Sequence, residues 1–124
     1  MNTTKSQLIS GLKKATIEML LLRFLSENDM YGYQLCQEFK KRSSGLYTLL
    51  EGSMYPILYR LTEQNYISYY EKKVGVRQVR IYYHITDEGV KYLEKLVSSY
   101  HDFTNVIEFL LLAKEGESYE PNQP

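Results

Sequence analysis

The 124-residue sequence predicts a mainly α-helical fold that contains a small β-hairpin and ends in a long helix. Three observations predict it. Apolar residues recur at spacings of three and four in three successive segments, two β-rich runs with a glycine-containing link follow, and a further apolar repeat continues almost to the end. Apolar residues make up 44% of the chain, and no uncharged apolar run reaches the roughly 18 residues of a membrane span.

The three short helices are predicted at residues 15–26, 31–42 and 53–64. The third is expected to begin with Ser53 as its N-cap. This start places Pro56 in the first turn, where the missing N–H of proline would have had no helical partner.

The hairpin strands are predicted at residues 67–73 and 77–85, joined by a turn at Val74-Gly75-Val76. Thr86 is expected to cap the last helix. Acidic residues follow it in the first helical turn, where the helix dipole favours anions.

These elements predict a domain over residues 1–85, a dimerisation helix over 86–113 and a disordered polar tail over 114–124. The N-terminus has no apolar stretch of the secretory type. The single cysteine excludes an internal disulfide and suits a reducing compartment. We therefore expect a cytoplasmic protein.

Three helices followed by a basic hairpin are typical of a winged helix-turn-helix domain, which binds double-stranded DNA. A helix of about 12 residues fits the major groove, and a cationic hairpin reaches flanking phosphates. The tyrosines of the third helix can also pack with only the hydroxyl exposed. The candidate DNA-contacting residues of the third helix and hairpin are Ser53, Tyr55, Tyr59, Arg60, Lys72, Lys73, Arg77 and Arg80.

The zero net charge conceals an uneven distribution. Residues 1–80 hold 12 Lys and Arg against 7 Asp and Glu, whereas residues 81–124 hold 3 against 8. A basic first part favours a polyanionic partner, although chance surface charge explains it equally well. Further candidate cations precede the first helix and end the second, where dipole chemistry is the alternative explanation: Lys5, Lys13, Lys14, Lys40, Lys41 and Arg42.

Catalytic and metal-binding patterns are weak in this sequence. His84 and His101 have no cysteine or carboxylate at metal-ligand spacing, and Cys36 lies on the apolar face of the second helix. No phosphate-binding glycine loop or nucleophile motif occurs. We expect no enzymatic activity, no metal and no cofactor.

Three motifs in register resemble those of the PadR-type transcriptional regulators. Residues 31–35, Tyr-Gly-Tyr-Gln-Leu, resemble the opening of that family's second helix and add Tyr33 to the candidate DNA contacts. Residues 51–61 resemble its recognition helix, and residues 77–89 resemble its wing and return strand. The tip departs from the pattern, since Val74-Gly75-Val76-Arg77-Gln78 stands where many relatives have Gly-Gly-Arg-Arg.

The resemblance extends over roughly residues 15–112 and implies a dimeric repressor of nearby genes, often for phenolic-acid stress or multidrug efflux. A single helix after the wing resembles the short subfamily, in which that helix makes the dimer. Some short members release DNA when flat aromatic compounds bind at the dimer interface. Tyr100 stands where a multidrug-sensing branch has a stacking Trp.

The last helix carries a heptad seam of its own, independent of any family. Leu93, Val97, Ile107 and Leu111 are the candidate dimerisation residues. Tyr100 and Thr104 interrupt this seam with polar groups, which favours a ligand pocket there. In the alternative interpretation, Tyr100 packs and bonds water.

The function predicted is that of an operator-binding transcriptional repressor, a homodimer released from DNA by a small planar aromatic or phenolic effector, with no membrane association. Two alternatives stay open. A winged helix also serves as a protein-interaction adaptor, which does not need four hairpin cations. A small-molecule-binding protein without a DNA partner is the other.

Overall fold

A computed structural model describes Gln7, residues 12–13 and residues 16–121. Lys5 and Lys14, two of the candidate cations, lie outside the described residues. The elements in chain order are α1 (Ile17–Glu27), β1 (Met30–Tyr31), α2 (Gly32–Arg42), α3 (Glu51–Glu63), β2 (Ile67–Lys73), β3 (Val79–Ile85) and α4 (Asp87–Leu112). This order confirms the predicted fold class and adds the two-residue strand β1.

The chain divides into two compact units, Met1–Leu93 and Glu94–Pro124. In the first unit, α1, α2 and α3 bury their apolar faces together with the inner ends of β2 and β3. The rings of Phe24 and Phe39 meet edge to face with centroids 4.9 Å apart. The largest fully buried side chains are Leu21, Leu22, Leu35, Met54, Leu58, Leu61 and Ile67.

The sheet is antiparallel throughout, with strand order β1-β3-β2. Directly opposed residues share a face of a sheet. Ile67 therefore lies beside Ile85 on the buried face. Tyr31 of β1 stands opposite Tyr82 of β3 on the other face. We call this second face the outer sheet face, made by Tyr31, Tyr70, Lys72, Arg80 and Tyr82.

Helix α3 begins earlier than the sequence predicted. Leu50, not Ser53, is its N-cap, and the Leu50 carbonyl accepts the Ser53 N–H at 3.0 Å. The predicted Ser53 cap is therefore wrong, and Pro56 lies in the second turn. Proline has no N–H to donate to the carbonyl of Gly52, four residues earlier. The helix tolerates this loss because Gly52 is exposed to water.

The start of α4 confirms the predicted cap. The Thr86 hydroxyl accepts the Gly89 N–H at 3.0 Å and donates to the Asn65 carbonyl at 2.7 Å. A Cβ on Gly89 would lie 2.0 Å from the Tyr66 carbonyl oxygen. The first turn of α4 is thus packed closely on the segment between α3 and β2.

The second unit contains the remainder of α4, which ends at Leu112, and the residues after it. Its backbone turns after the helix, where the Lys114 N–H donates to Glu117 Oε1 at 2.8 Å. The Tyr119 ring lies 5.6 Å from that of Phe109. Disorder of the tail stays a prediction. None of the helices in the described part of the chain is long and apolar enough to cross a membrane.

Candidate nucleic-acid interface

The first two turns of helix α3 present small residues outward, and we call Gly52 and Pro56 the α3 strip; the exposed Glu63 continues the same side toward the end of the helix. Its buried residues, Met54, Leu58 and Leu61, define one side of the helix, and helical rotation places Gly52 and Pro56 on the opposite side. A Cβ on Gly52 would meet nothing within 4 Å. The small volume of this strip allows the helix backbone to approach the floor of a groove closely.

The predicted reading residues of α3 flank this strip on both sides. Tyr55 and Tyr59 lie on one side, and Ser53 and Arg60 lie on the other. All four are exposed, and Tyr59 is the more open tyrosine, with 69% of its surface free against 43% for Tyr55. The exposed positions of α3 thus carry hydroxyl groups on both edges.

Tyr55 also has a structural contact. A Cβ on Gly32 would lie 2.4 Å from the Tyr55 hydroxyl oxygen, so this glycine makes room for the ring at the start of α2. Desolvation first, then the charge of Glu51, raises the pKa of the Tyr55 hydroxyl. Tyr55 therefore stays a neutral donor at the junction of two helices.

An open groove of about 220 Å³ joins three elements of the first unit. It lies between the N-terminal ends of α2 and α3 and the strand β3. It brings together three of the predicted DNA-contacting residues, Tyr33, Tyr55 and Arg80. The other lining residues are Tyr31, Gly32, Glu51, Ile81 and Tyr83.

Two of the wing cations lie over tyrosine rings on the outer sheet face. Lys72 and Arg80 are paired across β2 and β3. The Lys72 ammonium is 5.2 Å from the Tyr82 centroid, and the Arg80 guanidinium carbon is 4.4 Å from the Tyr31 centroid. Cation–π contact restricts the freedom of both cations. Sequence reasoning did not assign these tyrosines a role. The spacing of Tyr82 two positions from Arg80 was readable, whereas Tyr31 reaches the sheet only through β1.

Asp29 contacts both β2 and β3 at the end of the outer sheet face away from the wing turn. Its carboxylate accepts the Tyr70 hydroxyl at 2.7 Å and lies 2.7 Å from Nδ1 of His84. Desolvation raises the pKa of Asp29, but the hydrogen bonds from His84 and Tyr70 together lower it below its ordinary value. Tyr70 in turn stacks on Tyr82 at 5.8 Å, which links Asp29 to the ring beneath Lys72.

The wing turn carries the other two predicted cations. Gly75 has a φ of +89°, and the Val74 N–H closes the turn on the Gln78 carbonyl at 2.9 Å. Lys73 and Arg77 flank this turn and are both exposed. Within residues 16–121, neither has a carboxylate at ion-pair distance.

The further candidate cations divide by their contacts. Arg42 forms ion pairs within the protein, because it lies 2.7 Å from the carboxylates of both Glu27 and Glu38. The Lys13 ammonium donates to the Thr48 carbonyl beside the start of α3. Lys40 and Lys41 are exposed and project into solvent. Arg60, a predicted reading residue, pairs with Glu18 of α1 at 3.1 Å.

The predicted ligand and dimer residues lie along α4. Tyr100 is exposed, and Thr104 follows one helical turn later with its hydroxyl donated to the His101 carbonyl at 3.1 Å. Val97 is half-buried, while Ile107 and Leu111 are exposed. Leu93 differs from these, because it is buried in the core of the first unit.

Metal and thiol chemistry find no support in the described part of the chain. No group of three or more His, Cys, Asp or Glu residues there could hold a metal ion. The Cys36 thiol donates to the Met54 sulfur at 3.8 Å. Desolvation first, then the charge of Glu51, raises the pKa of this thiol, which makes it a poor nucleophile.

Comparison with known proteins places this geometry in context. The profile of the transcriptional regulator PadR-like family matches residues 21–95. An uncharacterised protein X of Lysinibacillus sphaericus is 28% identical over 102 residues, which are 82% of this chain and 94% of that protein.

Two crystal structures are similar to the whole arrangement. A PadR-like transcriptional regulator of Bacillus cereus is 30% identical, with a TM-score of 0.71, and the match covers 84% of this chain and 99% of the other. A PadR family transcriptional regulator of Eggerthella lenta is 26% identical, with a TM-score of 0.79, over 88% of this chain and 93% of the other.

Proposed function

The chain belongs to the PadR-like family of transcriptional regulators, and from this premise we propose that it is a dimeric repressor that binds an operator through α3 and the β2–β3 wing. Members of the family are transcriptional regulators, so the expectation that the chain is not an enzyme is confirmed by its family. We place the protein in the cytoplasm, where its DNA would be.

The observation that carries the proposal is the convergence of Tyr33, Tyr55 and Arg80 on one groove. These three residues of α2, α3 and β3 line the same open space, together with the acidic Glu51. Hydroxyl and guanidinium groups bind phosphate oxygens and position a protein on a duplex. The flat strip of α3 beside this groove then enters the major groove, with Ser53, Tyr59 and Arg60 at its edges.

The wing supplies the sequence-independent part of binding. Lys72 and Arg80 are held over tyrosine rings, whereas Lys73 and Arg77 extend from the turn. Each phosphate neutralised releases counterions, so binding weakens as salt rises. We assign these four cations to phosphates that flank the half-site.

Dimerisation is proposed along the part of α4 in the second unit. This helix leaves large apolar side chains exposed: Phe103, Ile107, Leu110, Leu111 and Leu112. An apolar face of this extent is unfavourable in water unless a partner covers it. A second copy supplies two recognition helices for two half-sites. Val97, Ile107 and Leu111 carry the proposal, since Leu93 is already buried in its own domain.

We further propose that a ligand releases the protein from its operator. Tyr100 and Thr104 offer an aromatic ring and a hydroxyl on successive turns of the proposed dimer helix. A planar aromatic effector stacks on Tyr100 between the two copies and changes the spacing of the two reading helices.

Fluorescence anisotropy tests the central claim with a labelled duplex taken from upstream of the chain's own gene. We expect log K to fall linearly with log salt. The double change Lys72→Ala and Arg80→Ala should reduce that slope by about two, because two phosphate contacts are lost. The matched control changes Lys95 and Lys114 of the second unit to alanine and removes equal charge. If the wild-type chain shows no salt-sensitive binding, the operator-binding proposal is overturned and the adaptor alternative is favoured.

A further inference from the structure

A carboxylate of α1 holds the one arginine of the recognition helix. Glu18 Oε2 lies 3.1 Å from Nη2 of Arg60, in a contact that joins α1 to α3 across 42 positions of sequence. The two side chains are unequally exposed. Arg60 is 55% exposed and stands at the edge of the α3 strip, while Glu18 is only 20% exposed.

The second oxygen of this carboxylate is buried without a donor. Oε1 of Glu18 is fully enclosed and has no hydrogen-bond partner among the described residues. A buried carboxylate oxygen without a donor is unfavourable, so Glu18 depends on the contact that its other oxygen makes with Arg60.

The neighbour on the other side is Tyr92 of α4. Interaction with the Glu18 carboxylate, first as a hydrogen bond and then with desolvation, raises the pKa of the Tyr92 hydroxyl to about 12. Even so, Oε1 of Glu18 has no hydrogen-bond donor among the described residues. Tyr92 is itself fixed, since its ring stacks on Tyr66 at 4.1 Å with an interplanar angle of 6°.

We propose that Glu18 is a positioning residue for DNA reading, which holds Arg60 back in the free protein and exchanges it for a DNA phosphate when the operator binds. The proposal deepens the operator-binding function and rests on it. The half-exposed guanidinium can rotate away from α1, whereas the enclosed carboxylate cannot follow.

Exchange is physically reasonable because the two anions differ in surroundings. Glu18 attracts Arg60 from a site with an unsatisfied oxygen, and a phosphate offers the guanidinium two oxygens in a planar, bidentate arrangement. Glu18 therefore sets how readily Arg60 leaves. The carboxylate acts on DNA affinity without touching DNA.

Glu18→Gln tests the exchange in the full-length chain with a mixed-sequence duplex. On this duplex, which contains no operator, the wild-type Arg60 stays with Glu18. The amide holds Arg60 less strongly, so the slope of log K against log salt should steepen by about 0.9 for the added phosphate. Between about 50 and 200 mM salt this is a three- to fourfold greater loss of binding. The double variant Glu18→Gln with Arg60→Ala should lose the added slope. Circular dichroism establishes that each variant is folded.

Glu38→Gln is the matched control, because it removes one carboxylate of an arginine pair on α2 and leaves Arg42 bound to Glu27. If it steepens the slope as much as Glu18→Gln, the effect is only net charge and the proposal is overturned. An unchanged or shallower slope in Glu18→Gln overturns it as well. Wild-type chain that binds no duplex removes the proposed function and this inference together.

Discussion

Arg80 lies over the ring of Tyr31, with its guanidinium carbon 4.4 Å from the ring centroid, and so ties the wing to the start of α2. The two residues are 49 positions apart in sequence, and the two-residue strand β1 brings them together. This contact joins a wing strand to the residue that precedes α2 within the first unit.

Replacing Tyr31 by leucine removes that contact while keeping an apolar side chain. Exposed cation–π contacts are worth about 0.5–1 kcal/mol. We therefore expect duplex affinity to fall about two- to fivefold. The salt slope should stay unchanged, because Arg80 keeps its charge. Anisotropy titration measures both quantities. Tyr69→Leu is the control, since Tyr69 lies on the opposite sheet face and no cation lies over its ring among the described residues.

Gly52→Ala should raise stability and lower DNA affinity in the same molecule. Alanine is favoured over glycine in a helix by up to about 1 kcal/mol, and the added methyl group meets nothing in the free protein. On DNA the same methyl group would stand between the α3 strip and the groove floor. Urea unfolding and duplex titration measure the two effects.

Gly89→Ala should have the opposite effect on stability from Gly52→Ala. Its Cβ would lie 2.0 Å from the Tyr66 carbonyl oxygen, so the free energy of unfolding should fall by about 1–3 kcal/mol. If Gly52→Ala leaves duplex affinity unchanged, the strip does not enter a groove.

Asp29→Asn should destabilise the protein in a pH-dependent way. The pKa of Asp29 is lowered from its ordinary 3.8, so its stabilising contribution is complete above that value and is lost as pH falls through the folded pKa. At pH 7 the loss should be about 1 kcal/mol, reduced by solvent because the side chain is a third exposed. The difference between variant and wild type should disappear in strong acid.

Thermal unfolding between about pH 7 and pH 2 measures this difference. Asp102→Asn on α4 is the control, as Asp102 is exposed and has no ion pair in the described part of the chain. A constant difference across the whole range would mean that Asp29 acts through shape and not through its charge.

Ile107→Glu tests the proposed dimer. A carboxylate on this exposed apolar face costs several kcal/mol when a partner covers it and almost nothing when water does. We expect sedimentation to show a monomer, with duplex binding weakened by at least tenfold because one half-site contact is lost. Asn105→Glu adds the same charge to an exposed polar position of α4 and should leave the mass unchanged. A dimer that survives Ile107→Glu would place the interface elsewhere.

Local patterns predicted much of this protein because they act over a few residues. Helical spacing located α1, α2 and the long α4, and β-rich composition located β2. The same reasoning placed Thr86 as a cap. It failed for Ser53 because the competing cap, Leu50, uses only its backbone and leaves no mark in side-chain type.

The sequence by itself determined the order of elements, the wing cations and the apolar face of α4, since each of these follows from neighbouring residues. Only the tertiary structure decided which groups those cations meet. Glu18 and Arg60 are 42 positions apart, Asp29 and Tyr70 are 41 apart, and Asp29 and His84 are 55 apart. Such pairs depend on the path of the chain through a shared core, and no local period records them. The sequence therefore identified Arg60 as a cation, but its ion pair with Glu18 depends on how the chain brings α1 and α3 together.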